Sequence, residues 1–217
     1  MLKAIIFDFD GTIANTLPIC FDAFRHAAGS LIESNLTNED IAAKYFGPSE
    51  EGVFQQHFPE RAEELIQKYY RYYEETQKKT FGVPDGLVEL IRALLKKGVR
   101  VALVTAKGPV SCRISLEHYG IADLFETIEV GSPKKRSKDQ GILKALNDMG
   151  VAPEEAAYVG DSSEDVISAR KAKVAPWSAA WMETAKPERI LAEKPDEIFY
   201  TVEEFKARLV KEFGPLD

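Results

Sequence analysis

The chain has 217 residues, of which 45% are hydrophobic and 29% are charged, with a formal net charge of −7 at pH 7. This composition is typical of a soluble globular protein, and the length suits one large domain or a core that carries a smaller insert. The acidic balance disfavours a nucleic-acid partner or an anionic membrane surface, because both require a basic face on the protein. No apolar run is long enough for a signal peptide or a membrane span, so we expect a cytoplasmic protein.

The first predicted element is a buried parallel strand, a continuous apolar run over residues 2–7. Asp8 and Asp10 follow the strand directly, and Gly11 allows the backbone to turn sharply after them. Both carboxylates would face one crevice at the end of the strand. The structural alternative is that these acids only form turn hydrogen bonds. That alternative does not explain why two charges two residues apart lie at the end of a buried strand, where burial of charge is costly. The pattern therefore favours a chemical role for Asp8 and Asp10.

Residues 16–79 are predicted to form a helical insert. Apolar residues recur at helical spacing over residues 19–28 and again over residues 65–70. Thr37, with Asp40 three residues later, is typical of a capping box that opens another helix. No segment of the insert has the pattern of a strand. The predicted organisation is a core of residues 1–15 and 80–217 that carries a helical unit of residues 16–79.

The remainder of the chain alternates between helical and strand patterns. A helix with apolar residues over 87–95 precedes a strand at 99–104, and a helix over 142–149 precedes a short strand at 156–159. Further strand-like segments lie near residues 126–130, 173–175 and 197–200. This alternation predicts an α/β fold with a doubly wound parallel sheet, in which ligands bind beyond the carboxyl ends of the strands.

A second acidic pair lies at one of those strand ends. Asp161 and Asp165 belong to the segment Gly-Asp-Ser-Ser-Glu-Asp that follows the strand at 156–159. Ser162 and Asp165 also have the spacing of a capping box, which is the structural alternative for this segment. Together with Asp8 and Asp10 on a neighbouring strand, the two acids would form a cluster of hard oxygen ligands suited to Mg²⁺.

Two further polar features are candidates for the same crevice. Thr105 directly follows the strand at 99–104, where its hydroxyl either reaches the crevice or caps the next helix. A basic run comprises Lys134, Lys135, Arg136 and Lys138, most of which we expect to face solvent. Lys138 is the candidate for the inward-facing lysine because it lies nearest to the start of the helix over 142–149. Lys134 and Lys135 remain alternatives to it.

The order of these features along the chain resembles the four motifs of the haloacid dehalogenase superfamily, and the resemblance covers nearly the whole chain. The helical insert resembles the cap domain of its phosphoglycolate phosphatase-like branch. The segment Phe-Gly-Pro-Ser-Glu at 46–50 is similar to a cap loop in that branch. Two positions depart from the family pattern, since Asp139 follows Lys138 where a proline is frequent, and Ala106 follows Thr105 where an asparagine is frequent.

The resemblance implies a Mg²⁺-dependent phosphatase that hydrolyses a small phosphorylated metabolite through an aspartyl-phosphate. Asp8 would be the nucleophile and Asp10 the general acid and base. Thr105 and Lys138 would hold the phosphoryl oxygens. The implied metal ligands are the Asp8 carboxylate, the Asp10 backbone carbonyl, Asp161 and Asp165, the last directly or through water. The implied substrate-binding residues are Gly11, Ala106, Lys44 and Gly47. A homodimer is left open.

Several other functions share parts of this pattern. A carbon–halogen hydrolase also uses an aspartate nucleophile, but it has no leaving oxygen to protonate and requires no metal, so Asp10 and the second acidic pair argue against it. A sugar-phosphate mutase and a pyrophosphatase of the same superfamily remain alternatives. The non-enzymatic alternative is a phospho-aspartate receiver, which resembles a single compact sheet without a helical insert.

Overall fold

The computed structural model describes residues 1–47, 49–78, 82–133 and 137–216. Within these residues lie six strands and ten α-helices. The strands are β1 (Ala4–Phe7), β2 (Arg100–Val104), β3 (Thr127–Glu129), β4 (Ala156–Gly160), β5 (Ala175–Ala179) and β6 (Glu197–Phe199). The helices are α1 (Leu17–Ala28), α2 (Asn38–Tyr45), α3 (Glu50–His57), α4 (Ala62–Gln77), α5 (Leu87–Lys96), α6 (Pro109–Tyr119), α7 (Lys138–Met149), α8 (Ser163–Lys171), α9 (Pro187–Ala192) and α10 (Val202–Phe213).

The strands form one parallel sheet in the order β3-β2-β1-β4-β5-β6. Strand β1 lies between β2 and β4, and all four of its residues are buried because helices cover both faces of the sheet. The predicted doubly wound α/β fold is therefore confirmed. Since every strand runs in the same direction, the segments after β1, β2 and β4 meet at one edge of the sheet.

One predicted strand was displaced along the sequence. The prediction at 173–175 is wrong, because β5 occupies Ala175–Ala179. Lys173 has a left-handed backbone with φ of 61°, and its N–H donates to the carbonyl of Arg170 at the end of α8. The sequence pattern of β5 is weak because it contains Pro176 and Ser178, and proline and polar residues interrupt the apolar pattern from which strands are predicted.

The helices α1 to α4 pack around an apolar cluster of their own. Helices α1 and α4 make the most extensive contact between elements, and the cluster is rich in aromatic side chains such as Phe24, Phe54 and Tyr69. Ile114 of α6 also joins this cluster. The predicted upper boundary of the helical unit, at residues 79 and 80, falls outside the described residues. Throughout the described ranges, none of the helices combines the length and the apolarity needed to cross a bilayer.

Candidate active site

The loop after β1 is folded so that it brings Asp8 and Asp10 to the edge of the sheet. The carbonyl of Phe9 accepts hydrogen bonds from the backbone N–H groups of the residues that complete the turn, among them Ile13 at 2.9 Å. Gly11 has φ of 79°, and a Cβ atom at this position would lie 2.1 Å from Oδ2 of Asp161. Glycine is therefore required here both for the backbone conformation and for the close approach of Asp161.

Three carboxylates meet at the carboxyl ends of β1 and β4. Asp8, Asp161 and Asp165 each offer an oxygen, and these oxygens lie within 4.8 Å of one another. Burial raises the pKa of Asp8 to about 6, with the charges of Asp165 and Asp10 adding to the effect and Lys138 opposing it. Burial also raises the pKa of Asp161 well above its usual value, and the neighbouring Asp165 and Asp8 raise it further. The cluster therefore holds more negative charge than one lysine can balance.

The chemistry of this cluster fits a divalent cation. Oδ1 of Asp8 is buried and has no hydrogen-bond partner among the described residues. An unpaired carboxylate oxygen in a buried position is costly, and a cation offsets that cost. Hard carboxylate oxygens are the ligands that Mg²⁺ and Ca²⁺ take in proteins. Asp8 and Asp161 are thus positioned to hold a metal ion together.

Lys138 is the first residue of α7, and it bridges the two acidic segments. Its Nζ lies 3.0 Å from Oδ2 of Asp8 and 2.6 Å from Oδ1 of Asp165. Burial alone would lower the pKa of Lys138, but Asp165 and Asp8 outweigh burial and raise it. The lysine is therefore a permanent cation at the crevice. The alternatives Lys134 and Lys135 lie outside the described residues.

Asp165 is also the third residue of α8 and forms a capping box with the N-cap residue Ser162. Its Oδ2 accepts hydrogen bonds from the backbone N–H of Ser162 at 3.0 Å and from the Ser162 hydroxyl at 2.6 Å. Its Oδ1 accepts from Lys138, and from the hydroxyl of Tyr158 at 3.3 Å. The capping box is therefore present, and the same Asp165 carboxylate also belongs to the acidic cluster with Asp8 and Asp161. Because both oxygens of Asp165 already have donors, its main contact with the crevice is through Lys138.

Asp10 pairs with a lysine that the sequence analysis did not assign to the site. Nζ of Lys107 lies 2.8 Å from Oδ1 of Asp10, and the lysine side chain is fully buried. The hydroxyl of Thr16 donates to the same carboxylate oxygen. Burial acts to lower the pKa of Lys107, but Asp10 and the neighbouring Cys20, Tyr73 and Glu50 together outweigh burial and raise the pKa well above its usual value.

Local sequence carries one signal for Lys107 and none for Thr16. Lys107 lies two residues after Thr105 at the end of β2, which is the sheet edge where site residues are expected. Thr16 lies immediately before α1 and has no pattern that distinguishes it from an ordinary helix-capping threonine. Thr105 itself is buried, and its hydroxyl accepts the N–H of Lys107 at 3.2 Å.

A cleft of about 510 Å³, part of which is open solvent, lies between the helical unit and the sheet edge. Of the predicted substrate-binding residues, Gly47 and Ala106 line this cleft, whereas Lys44 and Gly11 do not. Lys44 is exposed and lies over the ring of Tyr45, 5.2 Å from its centroid. Gly11 instead packs against Asp161, as described above. Lys44 therefore lies outside the residues that line this cleft, and its predicted role in substrate binding stays a prediction.

The helical unit and the core are joined at the cleft by Glu50 of α3. One Glu50 oxygen accepts the N–H of Gly108 at 2.6 Å, and the other accepts the hydroxyl of Ser111. Both donors belong to the first turn of α6, where backbone N–H groups lack partners within the helix. Burial raises the pKa of Glu50 above its usual value, while Lys107 opposes that shift. Glu50 is thus a half-buried acid on the wall of the cleft.

Comparison with known proteins agrees with the fold. Residues 5–177 match the haloacid dehalogenase-like hydrolase family. A protein of Clostridium perfringens named putative pyrophosphatase PpaX is 29% identical over 177 residues, which cover 79% of this chain and 81% of that protein.

Two solved structures have a similar fold. A predicted phosphatase from Clostridium acetobutylicum has a TM-score of 0.79 at 21% identity, with 97% of this chain and 100% of that chain covered. The β-phosphoglucomutase of Clostridium difficile has a TM-score of 0.79 at 18% identity, with 99% and 97% covered. These likenesses extend over the helical unit as well as the sheet. The chain belongs to the haloacid dehalogenase-like hydrolase family.

Proposed function

We propose that the chain is a Mg²⁺-dependent phosphatase that hydrolyses a small phosphate monoester through an aspartyl-phosphate on Asp8. The observation that carries the proposal is the state of the Asp8 carboxylate. One of its oxygens is bound to Lys138, while the other is buried beside Asp161 and has no hydrogen-bond partner in the part of the chain that the structure describes. A carboxylate held by one oxygen and free at the other is suited both to nucleophilic attack and to metal coordination.

In this proposal each residue has one task. Asp8 attacks phosphorus, and Asp10 protonates the leaving oxygen and then takes a proton from the attacking water. Lys138 and the hydroxyl of Thr105 hold phosphoryl oxygens. Lys107 and Thr16 orient the Asp10 carboxylate, since both donate to it. Mg²⁺, held by Asp8, the carbonyl of Asp10 and Asp161, would neutralise phosphate charge when it is bound.

The helical unit of residues 16–79 is proposed to act as a cap over this site. Its residues supply much of the cleft wall, and Glu50 links α3 to the first turn of α6. A cap that closes over the phosphoryl group excludes bulk water while the aspartyl-phosphate forms.

Pyrophosphate hydrolysis is the second candidate, because the relative from Clostridium perfringens is named a putative pyrophosphatase. The same nucleophile and acid would serve that reaction. Phosphoryl transfer by a mutase also uses an aspartyl-phosphate, and the mutase of Clostridium difficile has a similar fold. A receiver is disfavoured by the family match over residues 5–177.

Two variants of the adjacent carboxylates test the proposed roles. Asp8→Asn should abolish turnover of every ester and form no phosphoenzyme. Asp10→Asn should lower the rate by about 10²- to 10⁴-fold, with the larger loss for esters that have poor leaving groups. With an aryl phosphate, Asp10→Asn should accumulate phosphoenzyme, because no base activates water.

The measurement is mass spectrometry of both variants after mixing with Mg²⁺ and an aryl phosphate. Wild-type enzyme in excess chelator is the control, and its hydrolysis should cease. Turnover by Asp8→Asn, or undiminished hydrolysis in chelator, would contradict the proposal.

A further inference from the structure

The walls of the cleft are mainly apolar and aromatic. Beside Asp10 the cleft is lined by side chains of α1, α2, α3 and the segment after α2: Phe24, Tyr45, Phe46, Val53 and Phe54. Phe46 remains 44% exposed, although its ring stacks on Phe21 with the ring centroids 4.8 Å apart. A large aromatic ring at the mouth of a cleft offers a planar apolar surface to whatever enters.

The charged residues that the structure describes along the cleft offer no unpaired positive charge to which an anion could bind. The charged residues that line it, within the described part of the chain, are Asp10, Glu50 and Lys107. Lys107 is fully buried and paired with Asp10, so its charge is already balanced. Glu50 occupies the N-terminal turn of α6, whose N–H groups would otherwise attract an anion. The described residues of the lining therefore carry an excess of negative charge.

We propose that the group esterified to phosphate in the substrate is uncharged and has an apolar, preferably planar, surface. This inference rests on the proposed phosphatase function and adds the chemical class of the leaving group. A second phosphate or a carboxylate on the leaving group would lie against Glu50, where like charges repel. An aromatic or aliphatic alcohol would instead bury its surface against Phe46, Phe54 and Val53. The substrate class is thus an organic monophosphate, and neither pyrophosphate nor a phosphorylated acid is preferred.

The test compares two esters that differ only in one charge. Benzyl phosphate and its 4-carboxylate analogue, 4-(phosphonooxymethyl)benzoate, both release a primary benzylic alcohol, and only that of the analogue carries a carboxylate. With Mg²⁺, kcat/KM for benzyl phosphate should exceed that of the carboxylate analogue by about tenfold or more. Pyrophosphate and phosphoglycolate should be poorer substrates than benzyl phosphate. A carboxylate analogue or pyrophosphate that is hydrolysed as well as benzyl phosphate would overturn the inference while leaving the phosphatase function intact.

A variant of Glu50 tests the origin of the discrimination. Glu50→Gln keeps the shape of the side chain and an oxygen for the N–H of Gly108, but removes the charge. The ratio of kcat/KM between the two benzyl esters should fall towards unity. The control Glu63→Gln, at an exposed position in the first turn of α4, should leave the ratio unchanged. An unchanged ratio in Glu50→Gln would contradict the role of this carboxylate.

A second variant tests the apolar wall even if Glu50→Gln does not fold. Phe46→Ala should lower kcat/KM for benzyl phosphate by about two- to tenfold, while kcat/KM for methyl phosphate changes little. Leu31→Ala, at another exposed apolar residue outside the cleft lining, should affect neither ester. Equal losses for both esters in Phe46→Ala would overturn the inference. Failure of every ester and of pyrophosphate with Mg²⁺ would instead overturn the phosphatase function, and the leaving-group inference with it.

Discussion

At the scale of single residues, the buried pair of Asp10 and Lys107 determines how the proposed acid/base group is held. The Lys107 side chain is 0% exposed and the Asp10 side chain is 18% exposed. The distance between Nζ of Lys107 and Oδ1 of Asp10 is 2.8 Å. Removing one partner of a buried pair leaves the other charge without compensation, which is more costly than removing both. The pair therefore links the proposed chemistry of Asp10 to the stability of the protein.

This coupling is measurable in a double-mutant cycle. Asp10→Asn and Lys107→Met should each lower the free energy of unfolding by about 3 kcal/mol, because each leaves a buried charge unpaired. The double variant should lose about 1–3 kcal/mol less than the sum of the two single losses. Denaturant unfolding of the four proteins gives the coupling free energy. The exposed pair Arg113 and Glu117 is the control, with a coupling of about 0.5 kcal/mol or less. Additive losses at Asp10 and Lys107 would contradict this account.

Site residues that the sheet topology positions could be predicted from the sequence. Site residues that are positioned by the packing of helices could not. Asp8 and Asp161 follow buried parallel strands, and such strands bring their carboxyl ends to one edge. Lys138 could be selected because it precedes an apolar helical periodicity. Thr16 could not, because its place at the site depends on how α1 packs against the sheet. Glu50 was indicated only as the last residue of the segment 46–50, and its contact with α6 depends on how α3 packs. Local periodicity does not contain that information.

At the scale of elements, the turn after β1 and the start of α8 are the two devices that hold the carboxylates. Gly11 provides the close approach to Asp161, and Ser162 holds Asp165. Both devices are local features of the chain that are also found away from the site. Comparable glycines and capping boxes elsewhere in the molecule therefore serve as matched controls.

Gly11→Ala should weaken metal binding. Its Cβ atom would overlap Asp161, and the left-handed backbone adds about 1–2 kcal/mol of strain. We expect a higher Mg²⁺ concentration for half-maximal activity, as also expected for Asp161→Asn. Gly98→Ala has a comparable φ of 80° but no atom within 4 Å of the new Cβ, so it should lose stability without any change in the metal titration. Equal metal titrations for Gly11→Ala and wild type would refute this role of Gly11.

Ser162→Ala and Thr37→Ala remove equivalent capping boxes at two different places. Each substitution should lower the free energy of unfolding by about 1 kcal/mol, since each removes the side-chain partner of a helix N–H group. Only Ser162→Ala should also lower kcat/KM, because Asp165 then orients Lys138 less firmly. Thermal unfolding and steady-state kinetics on both variants distinguish the two effects. A similar kinetic loss in Thr37→Ala would show that the effect is not specific to the site.

The elements themselves were predicted well where a sequence pattern is strong. Strands β1, β2 and β4 are apolar runs, and they were located to within two residues. Strand β5 was misplaced because Pro176 interrupts its pattern in the interior of the sheet. The contacts of the helical unit with the core could not be predicted, since amphipathic helices fix which face is buried but not what covers it.

At the scale of the whole molecule, the acidic cluster makes stability depend on pH and on metal together. The pKa of Asp8 is about 6 in the folded protein against an ordinary 3.8, and that of Asp161 is also raised. Below about pH 3 both groups are protonated in the folded and unfolded chains. As the pH rises to 6 and beyond, the unfolded chain ionises first, so the free energy of unfolding falls. Metal-free protein should therefore lose stability through this range.

Added Mg²⁺ should restore that stability, because a cation binds the ionised cluster only in the folded state. At a concentration about 100 times its dissociation constant, Mg²⁺ should raise the Tm by about 5–10 °C at pH 7 relative to chelator. The increment should nearly vanish at pH 4.5, where protons compete with the metal. Calorimetry across this pH range, with Asp161→Asn as the control, measures it. An increment that is independent of pH would count against the assigned ligands.

The central position of β1 in the sheet affects how the protein folds during its synthesis on the ribosome. The strand emerges first, yet both of its neighbours are made much later, and Asp8 contacts a lysine 130 residues further along the chain. At about 5–20 residues per second, the nascent apolar strand waits on the order of ten seconds for its partners. During that interval the α1 to α4 cluster, which is almost wholly local in sequence, is able to form. We expect chaperones that shield nascent chains to bind the segment around β1. We also expect ribosome-bound intermediates to become protease-resistant in the helical unit before the sheet edge that carries Asp8 has formed.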